Sequence, residues 1–141
     1  MPKSKEFCTF VLEDHLFGVD VQKVQEIIRY QEMTRVPLAN GVVRGLINLR
    51  GQIVLALDLR KRLNLAEAPS HKLPINVIVK TEEGPISLLV DEIGDVLEVD
   101  ESLYEPNPET LKGIDKELAE GTYKLKTKLS LVLHLEKTIN I

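Results

Sequence analysis

The chain has 141 residues, 43% of them hydrophobic, and a formal net charge of −4 at neutral pH. No stretch approaches the roughly 20 apolar residues of a membrane helix, and the apolar run that starts at Phe7 is too short for a signal-peptide core. The single cysteine, Cys8, excludes an internal disulfide and fits a reducing compartment. These properties predict a folded cytoplasmic protein, of one domain or two very small lobes, that meets a membrane only through a partner.

Short apolar runs separated by turn residues dominate the sequence and predict an all-β fold. Two runs flank the turn at Glu13-Asp14-His15, and two more flank Arg50-Gly51-Gln52. The sequence predicts strands over residues 7–12, 16–21, 46–49, 53–59, 75–79, 86–90, 94–99 and 129–135.

Helical signals are brief. Asp20 could cap a turn with four apolar residues on one face at helical spacing, namely Val21, Val24, Ile27 and Ile28. Residues 60–65 and 136–139 could each hold about one turn.

An internal repeat is the most informative pattern. Residues 49–63 align without gaps on residues 125–139, at an offset of 76, and their apolar positions coincide. Upstream, Val19-Asp20 resembles Val90-Asp91, each after a predicted hairpin. Chance can match a few alternating residues, but a match through two strands and a turn favours duplication.

A repeat unit of about 70 residues would be only marginally stable alone, so we expect two similar lobes packed together. Short antiparallel hairpins favour small barrels, which hide sheet edges. We place the lobes at approximately residues 12–72 and 73–141 of a single domain over 1–141. Whether the N-terminal strand is shared between the lobes stays open.

Charge is distributed unevenly along the chain. The segment 44–62 contains five Lys or Arg residues and the single acid Asp58, whereas 91–109 contains eight acids and no Lys or Arg. The simpler interpretation is two solvated faces. The alternative is that patches of opposite sign face different partners, or set the register with one.

No catalytic or metal-binding arrangement is recognisable. None of His15, His71 and His134 has a Cys or a second His at metal-ligand spacing. Nucleophile-elbow and phosphate-loop motifs are missing as well. We therefore predict a protein that is not an enzyme and holds no cofactor or metal. Because aromatic residues are only 4% and the charge is acidic, nucleic-acid binding is also disfavoured.

The Arg50-Gly51 turn has two interpretations. Gly51 suits a positive φ in a tight turn, and Asn48 is placed to hydrogen-bond the turn backbone. Arg50 is then either a solvated turn residue or a guanidinium presented to a partner by a rigid hairpin.

These segments together resemble the CheW family of chemotaxis coupling proteins, in order and spacing, over essentially the whole chain. The most specific block is centred on the tetrapeptide N-L-R-G at residues 48–51. The similar segments are FGVDV at 17–21, VQEII at 24–28, VP at 36–37, GLINLRGQIV at 45–54, LDLR at 57–60, LLVD at 88–91 and VL at 96–97.

The resemblance implies two SH3-like five-stranded β-barrel lobes, around separate cores, with a few short helical turns. It also implies a non-enzymatic scaffold that couples the regulatory domain of the histidine kinase CheA to the cytoplasmic tips of methyl-accepting chemoreceptors. The kinase-binding residues that it implies are Val24, Glu26 and Ile27. The implied receptor-binding residues are Arg44, Gly45, Asn48, Arg50 and Ile53, with Val90 and Val96 in a groove between the lobes.

Two alternatives remain at this point. The chain could be a CheW-like module of a larger, CheV-type signalling protein. A small β-barrel that binds an oligonucleotide or a metabolite is the alternative from a different class.

Overall fold

Short strands account for most of the computed structural model, which describes residues 4–13, 15–37, 39–67, 69, 72–100, 104–105, 118–124, 129–133 and 135–139. The strands are β1 Ser4–Leu12, β2 His15–Asp20, β3 Val24–Ile28, β4 Val43–Leu49, β5 Gln52–Asp58, β6 Ile75–Thr81, β7 Gly84–Val90, β8 Glu92–Asp100, β9 Tyr104–Glu105, β10 Ala119–Lys124 and β11 Leu129–Leu133. The helices are α1 Leu59–Arg62 and α2 Leu135–Ile139, and a 3₁₀ turn spans Val21–Lys23.

The strands form two sheets. The terminal sheet has the order β8-β1-β2-β11-β10-β9 and the central sheet the order β3-β6-β7-β5-β4. Neighbours are antiparallel except β2 with β11 and β5 with β7, which are parallel. The prediction of an all-β fold with two SH3-like lobes and few helical turns is confirmed.

The internal repeat is visible in the fold. At the offset of 76, β4, β5 and α1 correspond to β10, β11 and α2. The irregularity in the β4–β5 hairpin recurs in the β10–β11 hairpin, because pairing shifts register between Val43 and Gly45 and again between Ala119 and Gly121. Each repeat therefore builds a hairpin, with a bulge in its first strand, that leads into a short helix.

The predicted lobe boundary at residues 72 and 73 is wrong, because the sheets do not divide there. Hairpin β6–β7 pairs with β3 and β5 of the central sheet, and hairpin β1–β2 pairs with β8 and β11 of the terminal sheet. Each repeat thus contributes its first hairpin to the sheet that contains the later strands of the other repeat. The chain changes sheet twice, after Asp20 and at Asp91.

The largest apolar cluster, which we call the shared core, draws on both sheets. Phe10 and Phe17 of the terminal sheet pack there with Leu57 and Leu88 of the central sheet, all fully buried. Smaller clusters fill each lobe, around Phe7, Val99, Tyr123 and Val132 in one and around Ile47, Leu49, Val54 and Ile78 in the other. Each lobe therefore has a small core of its own, as expected, but the largest apolar cluster is the shared core, to which both lobes contribute.

The helical interpretation of residues 21–28 is only partly correct. Asp20 does cap a turn, since its carboxylate accepts a hydrogen bond from the backbone N–H of Gln22 at 3.0 Å. That turn ends at Lys23, and the next five residues form β3. Burial alternates along this edge strand, but the apolar residues do not follow it, since Glu26 is half-buried and Ile27 is exposed. The apolar spacing therefore looks helical although the backbone is extended.

Candidate protein-binding surfaces

The turn between β4 and β5 is the most constrained part of the predicted receptor-binding region. Leu49 pairs with Gln52, and the two residues between them have positive φ, 52° at Arg50 and 87° at Gly51. This is the geometry of a type I′ hairpin turn, which suits glycine but is unfavourable for arginine. Asn48 Oδ1 accepts a hydrogen bond from the Gly51 N–H at 2.8 Å, so its predicted role in holding the turn is confirmed.

Arg50 forms an ion pair with Glu26 of β3, through Nη2 and Oε2. The hydrogen bond from Arg50 lowers the pKa of Glu26, and the same bond raises the pKa of Arg50. The contact joins a predicted receptor-binding residue to a predicted kinase-binding residue. Sequence spacing did not indicate this pair, because β3 and β4 lie at opposite edges of the central sheet and meet only when that sheet curls.

The other two predicted kinase-binding residues differ in exposure. Val24 is half-buried and packs against the shared core. Ile27 is 39% exposed, an apolar side chain open to solvent next to Glu26. Glu26 and Ile27 are therefore accessible to a partner, whereas Val24 contributes mainly to packing.

The predicted receptor-binding residues on the β4–β5 hairpin include an exposed pair. Asn48 lies directly opposite Ile53 in the antiparallel register, and both side chains are exposed, Ile53 to 61%. Val96 on β8 of the terminal sheet is 54% exposed. These residues could all contact a partner, but Val96 belongs to the other sheet.

Two predicted receptor-binding residues, Val90 and Gly45, have no side chain at the protein surface. Val90 is fully buried in the shared core, so the prediction that it lines a surface groove is wrong. It ends β7, where consecutive residues are buried, and its neighbour Asp91 is the residue at which the chain changes sheet. Gly45 is buried as well, and a Cβ there would lie 2.8 Å from the backbone oxygen of Thr34. Gly45 thus permits the segment after β3 to bond along β4, where Thr34 and Leu46 exchange two hydrogen bonds of 2.8 Å.

All four arginines in the basic segment 44–62 contact groups within the chain. Arg44 Nη1 lies 3.5 Å from Asp58 Oδ2. Arg62 donates to the backbone oxygens of Lys137 and Thr138 at 2.8 Å each. Together with the Arg50 pair, these bonds show that the segment is neither simply solvated nor wholly reserved for partners.

Arg60 and Asp91 are a buried ion pair that the sequence did not reveal. Arg60 Nε donates to both oxygens of Asp91, at 2.9 and 3.2 Å, and its Nη2 also donates to Oδ2. Asp91 Oδ2 accepts a further bond from the Glu13 N–H at 2.8 Å. Burial opposes ionisation of Asp91, but the bonds from Arg60 and Glu13 and the charges of Arg60 and Lys72 outweigh it and lower the pKa of Asp91.

In the part of the chain that the structure describes, no three His, Cys, Asp or Glu side chains converge as a metal site would require. His71 and His134 lie outside that part. Cys8 is buried in β1, and burial raises the pKa of its thiol. No helix among the described elements has the length and apolar character needed to cross a membrane.

Comparison with known proteins gives one consistent result. The family model described as "CheW-like domain" matches residues 6–141. The chain is 30% identical over 136 residues to chemotaxis protein CheW of Treponema pallidum, covering 94% of this chain and 80% of that protein. It is 34% identical over 113 residues to chemotaxis protein CheW of Bacillus subtilis, covering 80% and 70%.

Structural comparison agrees with the sequence comparison. The crystal structure of the scaffolding protein TtCheW from Thermoanaerobacter tengcongensis matches with a TM-score of 0.89 and 30% identity. The match covers all of this chain and 94% of that one.

Proposed function

Because this chain belongs to the CheW-like domain family, we propose that it is a chemotaxis adaptor that couples the histidine kinase CheA to chemoreceptors. The adaptor role follows from the family and from the match to a scaffolding protein of the same fold. We further propose that the protein acts in the cytoplasm, without catalytic chemistry of its own, and reaches the membrane only through the receptors.

The observation that carries the proposal is the Arg50 turn. A non-glycine residue with φ of 52° costs of order 1 kcal/mol or more, and such strain often marks a functional position. Asparagine would fit this turn better, yet arginine is present and its side chain remains 69% exposed while it pairs with Glu26. A contact between the guanidinium and a partner would explain why this position has arginine and not asparagine.

The accessible residues suggest how the two proposed surfaces are divided. Glu26 and Ile27 place a carboxylate beside an exposed apolar side chain on β3, and they are the proposed contact with the regulatory domain of CheA. Asn48, Arg50 and Ile53 form one exposed patch on the β4–β5 hairpin and are the proposed receptor contact. Val96 extends that contact to the terminal sheet if the receptor tip spans both sheets.

A pull-down with two separate baits tests this division. We expect the parent protein to bind both the CheA regulatory domain and a receptor-tip fragment. Glu26→Lys should weaken kinase binding, because it reverses a charge at the interface. Ile53→Ser should weaken receptor binding, because it removes the exposed apolar side chain.

The control is Lys80→Glu, a charge reversal at an exposed residue outside both surfaces. It should leave both interactions unchanged. If the parent protein bound neither bait, the proposed partners would be wrong. If Glu26→Lys and Ile53→Ser both bound each bait as the parent does, the proposed surfaces would be wrong.

A further inference from the structure

A cleft lined by positively charged side chains lies beside helix α1. Its volume is about 720 Å³, and it is formed by the segment that follows β3, the start of β4 and Lys61 of α1. Three exposed cations line it, Arg35, Arg44 and Lys61, and none of its described lining residues is an Asp or a Glu. We call it the basic cleft.

A second cleft of about 400 Å³ adjoins the first, since Arg44 and Lys61 line both. Here the exposed apolar side chains are Tyr30, 36% exposed, and Leu73, 61% exposed. Pro69 and Pro74 complete this apolar side, so we call it the apolar cleft. Exposed leucine and tyrosine side chains around one concave site are typical of a protein-binding surface.

Carboxylates do occur in the apolar cleft, but two of the three are already occupied. Asp91 is bound by Arg60, and Asp58 accepts from the Lys61 N–H at 3.2 Å and lies near Arg44. The third, Glu67, is exposed. Arg44, Arg60, Lys61 and Lys72 line the same cleft, so its carboxylates do not exclude an acidic ligand. The carboxylates of such a ligand fit best in the basic cleft, whose described lining residues include no Asp or Glu.

Both clefts are distinct from the Arg50 turn. Arg44 is at the start of β4 and Arg50 follows its end, so six residues of extended chain, about 20 Å, separate them. A partner bound in the clefts and one bound at the turn would occupy opposite ends of the same hairpin.

We propose that the two clefts together bind an extended acidic segment of a protein partner. Its carboxylates pair with Arg35 and Lys61 in the basic cleft, and one apolar side chain packs between Tyr30 and Leu73 in the apolar cleft. Single-stranded nucleic acid fits less well, because Tyr30 is the one aromatic side chain among the described residues that line the clefts, and Glu67 repels phosphate. This surface is additional to the proposed kinase contact and to the Arg50 turn, and it includes Arg44, which the resemblance implies as a receptor-binding residue.

Fluorescence anisotropy with the full chain tests the proposal. The probe is a fluorescein-labelled peptide of glutamates with one central leucine, and the comparison probe replaces that leucine by glutamate. We expect the leucine peptide to bind more tightly, and R35E/K61E to weaken it by about tenfold or more, because two attractive charges become repulsive. The control K23E/K80E makes the same change in net charge away from both clefts and should bind as the parent does.

L73S separates the apolar contact from the charge contact. It should remove the preference for leucine while leaving the all-glutamate probe unaffected, and circular dichroism checks that each variant is folded. Equal weakening by R35E/K61E and K23E/K80E would overturn the proposal, since any loss of positive charge would then suffice. An unchanged leucine preference in L73S, or tighter binding of oligodeoxythymidylate than of the leucine peptide, would also overturn it.

Discussion

Arg60 of α1 and Asp91 form a buried ion pair at the residue where the chain leaves the central sheet for the terminal sheet. Each residue is 8% exposed. Arg60 also donates to the Ala66 backbone oxygen at 3.0 Å, and Asp91 accepts from Glu13 in the β1–β2 turn. The pair thus connects α1, the crossing point and the first hairpin.

Asp91→Asn should destabilise the protein by about 3 kcal/mol, because it leaves the buried Arg60 guanidinium without a compensating charge. Urea unfolding followed by circular dichroism measures the change. The matched control is Glu92→Gln, which removes the exposed partner of Lys72 and should cost about 0.5 kcal/mol or less. Equal losses in the two variants would show that the buried pair does not stabilise the fold.

The same carboxylate should make stability depend on acid pH. The pKa of Asp91 in the folded protein lies below its ordinary value of 3.8. As the pH falls below that value, the unfolded chain binds a proton before the folded chain does, so the free energy of unfolding decreases. Urea midpoints of the parent should approach those of Asp91→Asn as the pH falls below about 4 and stay higher above it. A difference between the two that does not change with pH would contradict this.

Gly45→Ala should cost about 2 kcal/mol, because the new Cβ would overlap the Thr34 backbone oxygen and displace the segment bonded along β4. Thermal unfolding measures the loss, and faster hydrogen exchange of the Thr34 and Leu46 amides locates it. Gly41→Ala is the control, since no atom lies within 4 Å of a Cβ at that position. It should change stability by no more than about 0.5 kcal/mol.

Arg50→Asn should weaken receptor binding without lowering the stability of the protein. Asparagine adopts positive φ readily and forms the Asn-Gly sequence preferred in type I′ turns, so the melting temperature should stay the same or rise. Binding to the receptor-tip fragment should fall, because the guanidinium is lost. Lys80→Asn, outside both proposed surfaces, should leave binding unchanged. Full receptor binding by a folded Arg50→Asn variant would exclude Arg50 from the contact.

Local patterns allowed most strands to be predicted. The apolar runs at residues 7–12 and 53–59 correspond to β1 and β5. Consecutive residues of β1 are buried on both faces, whereas burial in β5 begins at Val54. Residues 24–28 were assigned incorrectly, because the apolar residues of this edge strand do not alternate although its burial does. Residues 119–124 were missed, since the polar and glycine-containing sequence of β10 has no clear alternation.

Pairing between strands could not be predicted from periodicity. The repeat identified which residues correspond, but either first hairpin could have paired within its own half or with the other half. For the same reason the contact between Glu26 and Arg50 was not foreseen, although both residues were named as sites. The strand that ends at Val90 was predicted, but the resemblance placed Val90 in a surface groove, whereas the last four residues of β7 are all buried.

The crossing of each first hairpin into the other repeat's sheet has a consequence for dissection of the protein. A cut after residue 72 would yield one fragment with β1 to β5 and another with β6 to β11. The first would contain two strands of the terminal sheet and three of the central sheet, and the second would contain the remaining strands of each. Neither fragment could complete a sheet by itself, so each should be unstructured in isolation. Mixed together, they should reassemble as a split protein, and the unfolding of the intact chain should be a single cooperative transition.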